Sequence, residues 1–136
     1  MTPSVEERQD FLKKALTGNA VFSVVSGVTI LLSNRWLVRF LGLPEKVSLA
    51  ILGVSLIGYA ALLWLNAHRP KIKITEAWVA VIMDVIWVVG SYTLILAVPF
   101  SVGGQWVVGL VAELVLAFAV LQWLGIRKIR KSEQYA

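Results

Sequence analysis

The chain has 136 residues, 58% of them hydrophobic and 15% charged, with a formal net charge of +5. Soluble domains average about 45–50% apolar and about 25% charged residues. One domain of this length cannot bury such an excess, so lipid is the expected solvent for much of its surface. The absence of cysteine excludes disulfide exchange, thiolate metal ligation and covalently attached haem, and a single histidine, His68, excludes a bis-His site within one chain.

The sequence reads as one integral membrane domain over 1–136, with apolar segments at approximately 14–33, 47–66, 77–98 and 105–126. Each has the roughly 20 residues that carry an α-helix across a hydrocarbon layer of about 30 Å. Long continuous apolar runs exclude an alternating-strand barrel, and helices satisfy the backbone where lipid cannot. The first segment follows Lys13 and Lys14. Because Glu6, Glu7 and Asp10 precede it and no small-x-small cleavage pattern closes it, a retained helix is expected rather than a signal peptide. Its polar residues Asn19, Ser23 and Ser26 fall at i, i+4 and i+7, on one face.

The connection "SNRWLVRFLGLPEK" predicts a short helix lying in the headgroup layer. Ser33 or Asn34 would cap it. Trp36, Leu37, Phe40 and Leu41 would form its apolar face, and Gly42 and Pro44 would end it. The second segment carries Ser55 and Tyr59 one turn apart. Its Gly53 and Gly58 do not have GxxxG spacing. His68, followed by Arg69-Pro70-Lys71, reads as a membrane-boundary residue, and Trp64, Trp78, Trp106 and Trp123 as an aromatic belt at span ends.

The third segment contains "VIMDVIW", in which Asp84 is the only charge between residues 77 and 98. A charged Asp at the centre of a span costs about 2.5–3.5 kcal/mol on insertion scales. Such residues usually face other helices or a cavity. Ala80, Trp87 and Ser91 share the Asp84 face, which therefore belongs inside a bundle. "PFSVGGQ" then breaks the helix and makes an antiparallel hairpin with the fourth segment. Glu113, isolated in "VVGLVAELVLAF", shares a face with Trp106, Gly109 and Ala117. Hairpin register sets Glu113 opposite Gly90 and beside Ser91, which is its expected partner. The two acids are then staggered by roughly 9 Å along the axis, too far for one shared proton. Gln122 lies on the face opposite Glu113 and is assigned to the membrane interface.

Counting depth from the span ends aligns Ser23, Tyr59 and Asp84, and separately Ser26, Ser55 and Glu113. A continuous polar seam is expected. Its candidate polar or proton-site residues are Asp84, Glu113, Ser91, Trp87, Tyr59, Ser55, Ser23, Ser26 and Asn19. No intramembrane Lys or Arg neutralises the two acids, so a proton or cation is an available counter-charge. The seam could hold helices together, bind a proton or cation, or face another membrane protein.

Ten of the 13 Lys and Arg residues flank the span ends that share a side with the two termini; Arg35, Arg39 and Lys46 lie opposite. This asymmetry predicts cytoplasmic termini. Placed at span ends, the basic residues argue against nucleic-acid binding. No phosphate loop, nucleophile–base pair or metal-ligand spacing occurs, so neither an enzyme nor a cofactor is expected. "VVSGVTILL" at 24–32 faintly echoes "VVGSYTLIL" at 88–96, as duplication of a two-helix unit would leave.

"DVIWVVGS" in the third segment, "FAVLQWLGIRK" closing the fourth, "NAVFSVVSG" and "LGLP" together resemble a group of small, mostly uncharacterised bacterial four-span proteins. The resemblance implies a bacterial inner-membrane location and carries no activity. Small multidrug-resistance transporters are similar in length and span count. Their essential acid is in the first span, where this chain has Asn19, Ser23 and Ser26, and the departure argues against membership. The expected molecule is an all-α membrane four-helix bundle, up-down-up-down, with an interfacial helix after the first span. Its expected role is non-enzymatic, as an accessory or interaction protein with a membrane-protein partner or as a homo-oligomer. The alternative is an oligomeric proton-coupled carrier of small molecules using the intramembrane carboxylates.

Overall fold

The computed structural model describes residues 5–134, which form five helices: α1 (Val5–Leu32), α2 (Asn34–Phe40), α3 (Ala50–Ala67), α4 (Ile74–Ala97) and α5 (Val102–Gln134). There is no strand among the described residues. The four long helices are apolar and long enough to cross a membrane. Their outer surfaces are hydrophobic, with Leu32, Ile51 and Leu96 almost fully exposed. An apolar exterior around a packed helical interior defines a small integral membrane protein.

α1 and α5 run past their apolar stretches because nothing in Val5–Lys14 or Arg127–Lys131 breaks a helix; Lys, Arg, Glu and Gln are good helix formers. The bundle consists of two closely packed pairs, α1 with α3 and α4 with α5. They are joined through α1 and α5, while α3 and α4 touch little. α1 and α3 meet backbone to backbone at Gly27 and Gly53. A methyl group on Gly27 would lie 2.7 Å from the Gly53 carbonyl oxygen, and one on Gly53 would lie 2.9 Å from the Gly27 oxygen. Only glycine allows this approach. α1 meets α5 through Phe22 and Phe118, whose ring centroids are 5.7 Å apart, and through Leu12 against Gly125.

Each end of the bundle is tied by loop contacts. At one end Ser101 Oγ donates to the Phe40 carbonyl at 2.5 Å and Ser101 N–H to the Leu41 carbonyl at 2.9 Å. Gly42 turns the chain there with φ +75°, a conformation glycine adopts freely. Ser33 makes no side-chain cap to α2, contrary to the capping expectation. Asn34 instead accepts the Leu49 N–H at 2.8 Å and thereby anchors the 41–49 loop. At the other end Asn66 closes the α3–α4 turn on Lys73, Gln9 accepts the Ile72 N–H, and Arg8 donates to the Lys128 carbonyl. The apolar core lies toward this second end, around Leu12, Leu16, Leu63, Ala77 and Ile126.

Candidate functional site

Near the bundle centre every long helix contributes one polar side chain to a single cluster: Asn19 from α1, Tyr59 from α3, Asp84 from α4 and Gln122 from α5. Asp84 is 3% exposed, Asn19 1% and Gln122 0%. Asn19 Nδ2 donates to Asp84 Oδ2 at 2.8 Å and to Gln122 Oε1 at 2.9 Å. Gln122 Nε2 donates to the same Asp84 oxygen at 2.8 Å. The Tyr59 hydroxyl lies 2.8 Å from Asp84 Oδ1 and 3.1 Å from the Ala80 carbonyl oxygen. Ser23 Oγ donates to Asn19 Oδ1 at 3.3 Å, so both hydrogens and the oxygen of the Asn19 amide are engaged.

Helix periodicity builds the cluster. Glycines aside, the buried positions of α5 are Ala112, Val115, Ala119, Gln122, Ile126 and Ile129, alternating in steps of three and four. Those of α4 are Ala77, Ala80, Val81, Asp84, Val88 and Ser91. Both are heptad-like seams interrupted by polar residues, Gln122 in α5 and Asp84 and Ser91 in α4. Among the described residues no Lys, Arg or His pairs with Asp84. Its partners are all neutral hydrogen-bonding groups. Tyr59 has one hydroxyl hydrogen for two acceptors. It can donate to Asp84, or it can donate to the Ala80 carbonyl and accept a proton-bearing Asp84. The cluster thus stays fully hydrogen-bonded in either protonation state of the acid.

The structure redistributes the residues expected in the seam. Asp84, Tyr59, Asn19 and Ser23 come together. Gln122, expected at the interface, is fully buried and bonded to Asp84; a Gln one turn from Trp123 resembles a boundary residue unless the three-four spacing of the seam is followed through it. Glu113, expected to face the bundle with Ser91, is exposed on the outer surface. Its partner is Tyr92, whose hydroxyl donates to Glu113 Oε1. Glu113 adjoins the buried Ala112 but lies off the α5 seam, which turns it outward. Ser91 is buried, and the hydrogen bond to Glu113 comes from Tyr92 instead. Ser55, expected in the seam, is exposed and donates to the Ile51 carbonyl of its own helix at 2.7 Å. Ser26 is half-buried and has no bond to the cluster. Trp87 is half-buried, and its indole N–H is the one buried side-chain donor among the described residues that has no acceptor.

Two clefts lie at the ends of the bundle, one beside α2 and one between the ends of α4 and α5; neither is lined by the Asp84 cluster. Among the described residues, no group of three or more His, Cys, Asp or Glu side chains could hold a metal ion. Comparison with known proteins finds no matching family model, curated protein or solved structure. The functional reading therefore rests on the residues themselves.

Proposed function

We propose that the chain is a bacterial inner-membrane protein of up-down-up-down topology with both termini cytoplasmic. In this reading it acts without enzymatic activity, as an accessory or interaction protein for another membrane protein. The observation that supports it is the division of labour between the two acids. Asp84 is closed inside a hydrogen-bonded cluster that holds the four helices in register. Glu113, within the fourth span, is presented outward with Tyr92 as its partner. An acid left toward lipid at mid-span carries a cost of about 2.5–3.5 kcal/mol. A partner helix seated over the Tyr92–Glu113 pair would remove that exposure.

Mild-detergent purification from native membranes tests the reading, with mass and subunit composition determined together. The expected result is a stoichiometric membrane-protein partner that is lost in Glu113→Leu while the variant remains folded. Recovery of a lone monomer, with Glu113→Leu indistinguishable from it, would count against the proposal.

A second reading is favoured by the two-acceptor position of the Tyr59 hydroxyl, which lets the cluster take up or release one proton without stranding a polar group. In that reading the chain is an oligomeric proton-coupled carrier. Purification as a homo-oligomer, with coupling abolished by Asp84→Asn or Glu113→Gln in a folded protein, is its expected signature.

A further inference from the structure

A cleft of about 270 Å³ opens between the start of α4 and the end of α5, lined by Trp78, Trp123, Ile126, Arg127, Arg130 and Lys131. Ile126 is fully buried and forms an apolar floor. The two indoles form the walls, each beside a guanidinium. Arg127 lies 5.4 Å from the Trp123 ring centre and Arg130 5.9 Å from that of Trp78. Among the described residues Arg127, Arg130 and Lys131 have no carboxylate partner, and their side chains donate no hydrogen bond. Cation–π attraction fixes the two guanidiniums at the cleft without consuming their N–H donors.

Other basic side chains at the same end of the bundle are engaged differently. Arg69 pairs with Glu76 at 3.2 Å, Lys14 pairs with Asp10, and Lys128 covers the Phe11 ring at 3.9 Å. Attraction of a helix C-terminus for cations accounts for Lys131, which is in the last turn of α5, but acts only over that turn. Arg127 and Arg130 lie further in. The cleft is also smaller than most sites for drug-sized molecules, which run to about 300–1,000 Å³.

We infer that the Trp78–Trp123 cleft is a binding site for a phosphate-bearing anion, held by Arg127, Arg130 and Lys131. A basic cleft where apolar helices leave the hydrocarbon is placed for a phospholipid headgroup, its chains lying along α4 and α5. Free phosphate offers the same oxygens. Fork-shaped guanidiniums suit either through paired N–H···O bonds. The inference is independent of what Asp84 and Glu113 do.

Native mass spectrometry of the full chain in non-ionic detergent tests it, with phosphatidylglycerol, phosphatidylcholine and inorganic phosphate as probes. One phosphatidylglycerol should be retained in preference to phosphatidylcholine. Arg127→Gln and Arg130→Gln should each weaken that preference by roughly fivefold. The control pair Arg35→Gln and Arg39→Gln, at the opposite end of the bundle, should leave it unchanged. If millimolar phosphate displaces the lipid, the site takes the phosphate group as such; if it does not, the headgroup and chains are read together. Equal retention of the two lipids by the unmodified chain overturns the inference whether or not any variant folds. Undiminished preference in a folded Arg127→Gln, Arg130→Gln double variant overturns it too.

Discussion

Replacing Asp84 by asparagine and, separately, by alanine distinguishes a hydrogen-bonding role from a role for its charge. In Asp84→Asn the amide oxygen can accept from both Asn19 and Gln122, and the amide nitrogen can donate to the Tyr59 oxygen. Tyr59 then donates to the Ala80 carbonyl, already 3.1 Å away. Every bond of the cluster has a replacement and only the second amide N–H is added without a named acceptor, so stability should change by less than about 1 kcal/mol. In Asp84→Ala, an N–H of Asn19 and one of Gln122 lose their acceptor in a buried site, while Tyr59 keeps Ala80. Hydrogen bonds between membrane helices average about 0.6 kcal/mol and reach about 1.7 kcal/mol. Two lost bonds therefore predict a destabilisation of about 1–3 kcal/mol. Equilibrium unfolding in mixed micelles, followed by helical circular dichroism and tryptophan fluorescence, measures both. If Asp84→Asn costs as much as Asp84→Ala, the negative charge is what the cluster requires, and the hydrogen-bonding account fails. If Asp84→Ala is neutral, the cluster does not hold the helices.

The α1–α3 crossing predicts opposite effects from one substitution type. Gly27→Ala should cost about 1–3 kcal/mol because its methyl would meet backbone that cannot yield. Gly58→Ala, with open space around the added methyl, should be neutral or stabilising by up to about 1 kcal/mol through helix propensity; micelle unfolding reads both. Gly42→Ala should cost about 1–2 kcal/mol from its positive φ alone, seen in the same assay. Since the chain has no native cysteine, Ser132→Cys supplies a single thiol. It should stay unreactive to an impermeant thiol reagent in intact cells, and labelling there would reverse the proposed orientation.

Four long helices were legible because twenty-residue apolar runs admit few other structures; α1 and α5 outlast their apolar stretches, while α3 begins at Ala50, three residues inside the expected segment. The interior was harder to read. Asp84 declared its inward face because an isolated acid sits among apolar neighbours and shares a side with Ala80 and Ser91. Glu113 looks the same one span later, yet the two differ in position relative to the seam. Asp84 occupies a three-four repeat of small and branched residues, whereas Glu113 is adjacent to one. Judging each acid by its isolation, rather than by the phase of the residues around it, put Glu113 inside and left Gln122 out. The Gly27–Gly53 crossing was illegible for another reason. It pairs glycines on different helices, and no spacing within either helix announces it.

The position of Asp84 in chain order bears on how the protein enters the bilayer. As the chain is made, α1 and α3 emerge first, and their Gly27–Gly53 contact needs nothing from the later helices. Asn19 and Tyr59 can thus already be side by side when α4 arrives. The acid can then meet two donors, Asn19 and Tyr59, before α5 brings Gln122 to it. A residue that would tax insertion of α4 alone becomes a docking point between the first hairpin and the second, and synthesis from the N-terminus supplies the order in which that docking works.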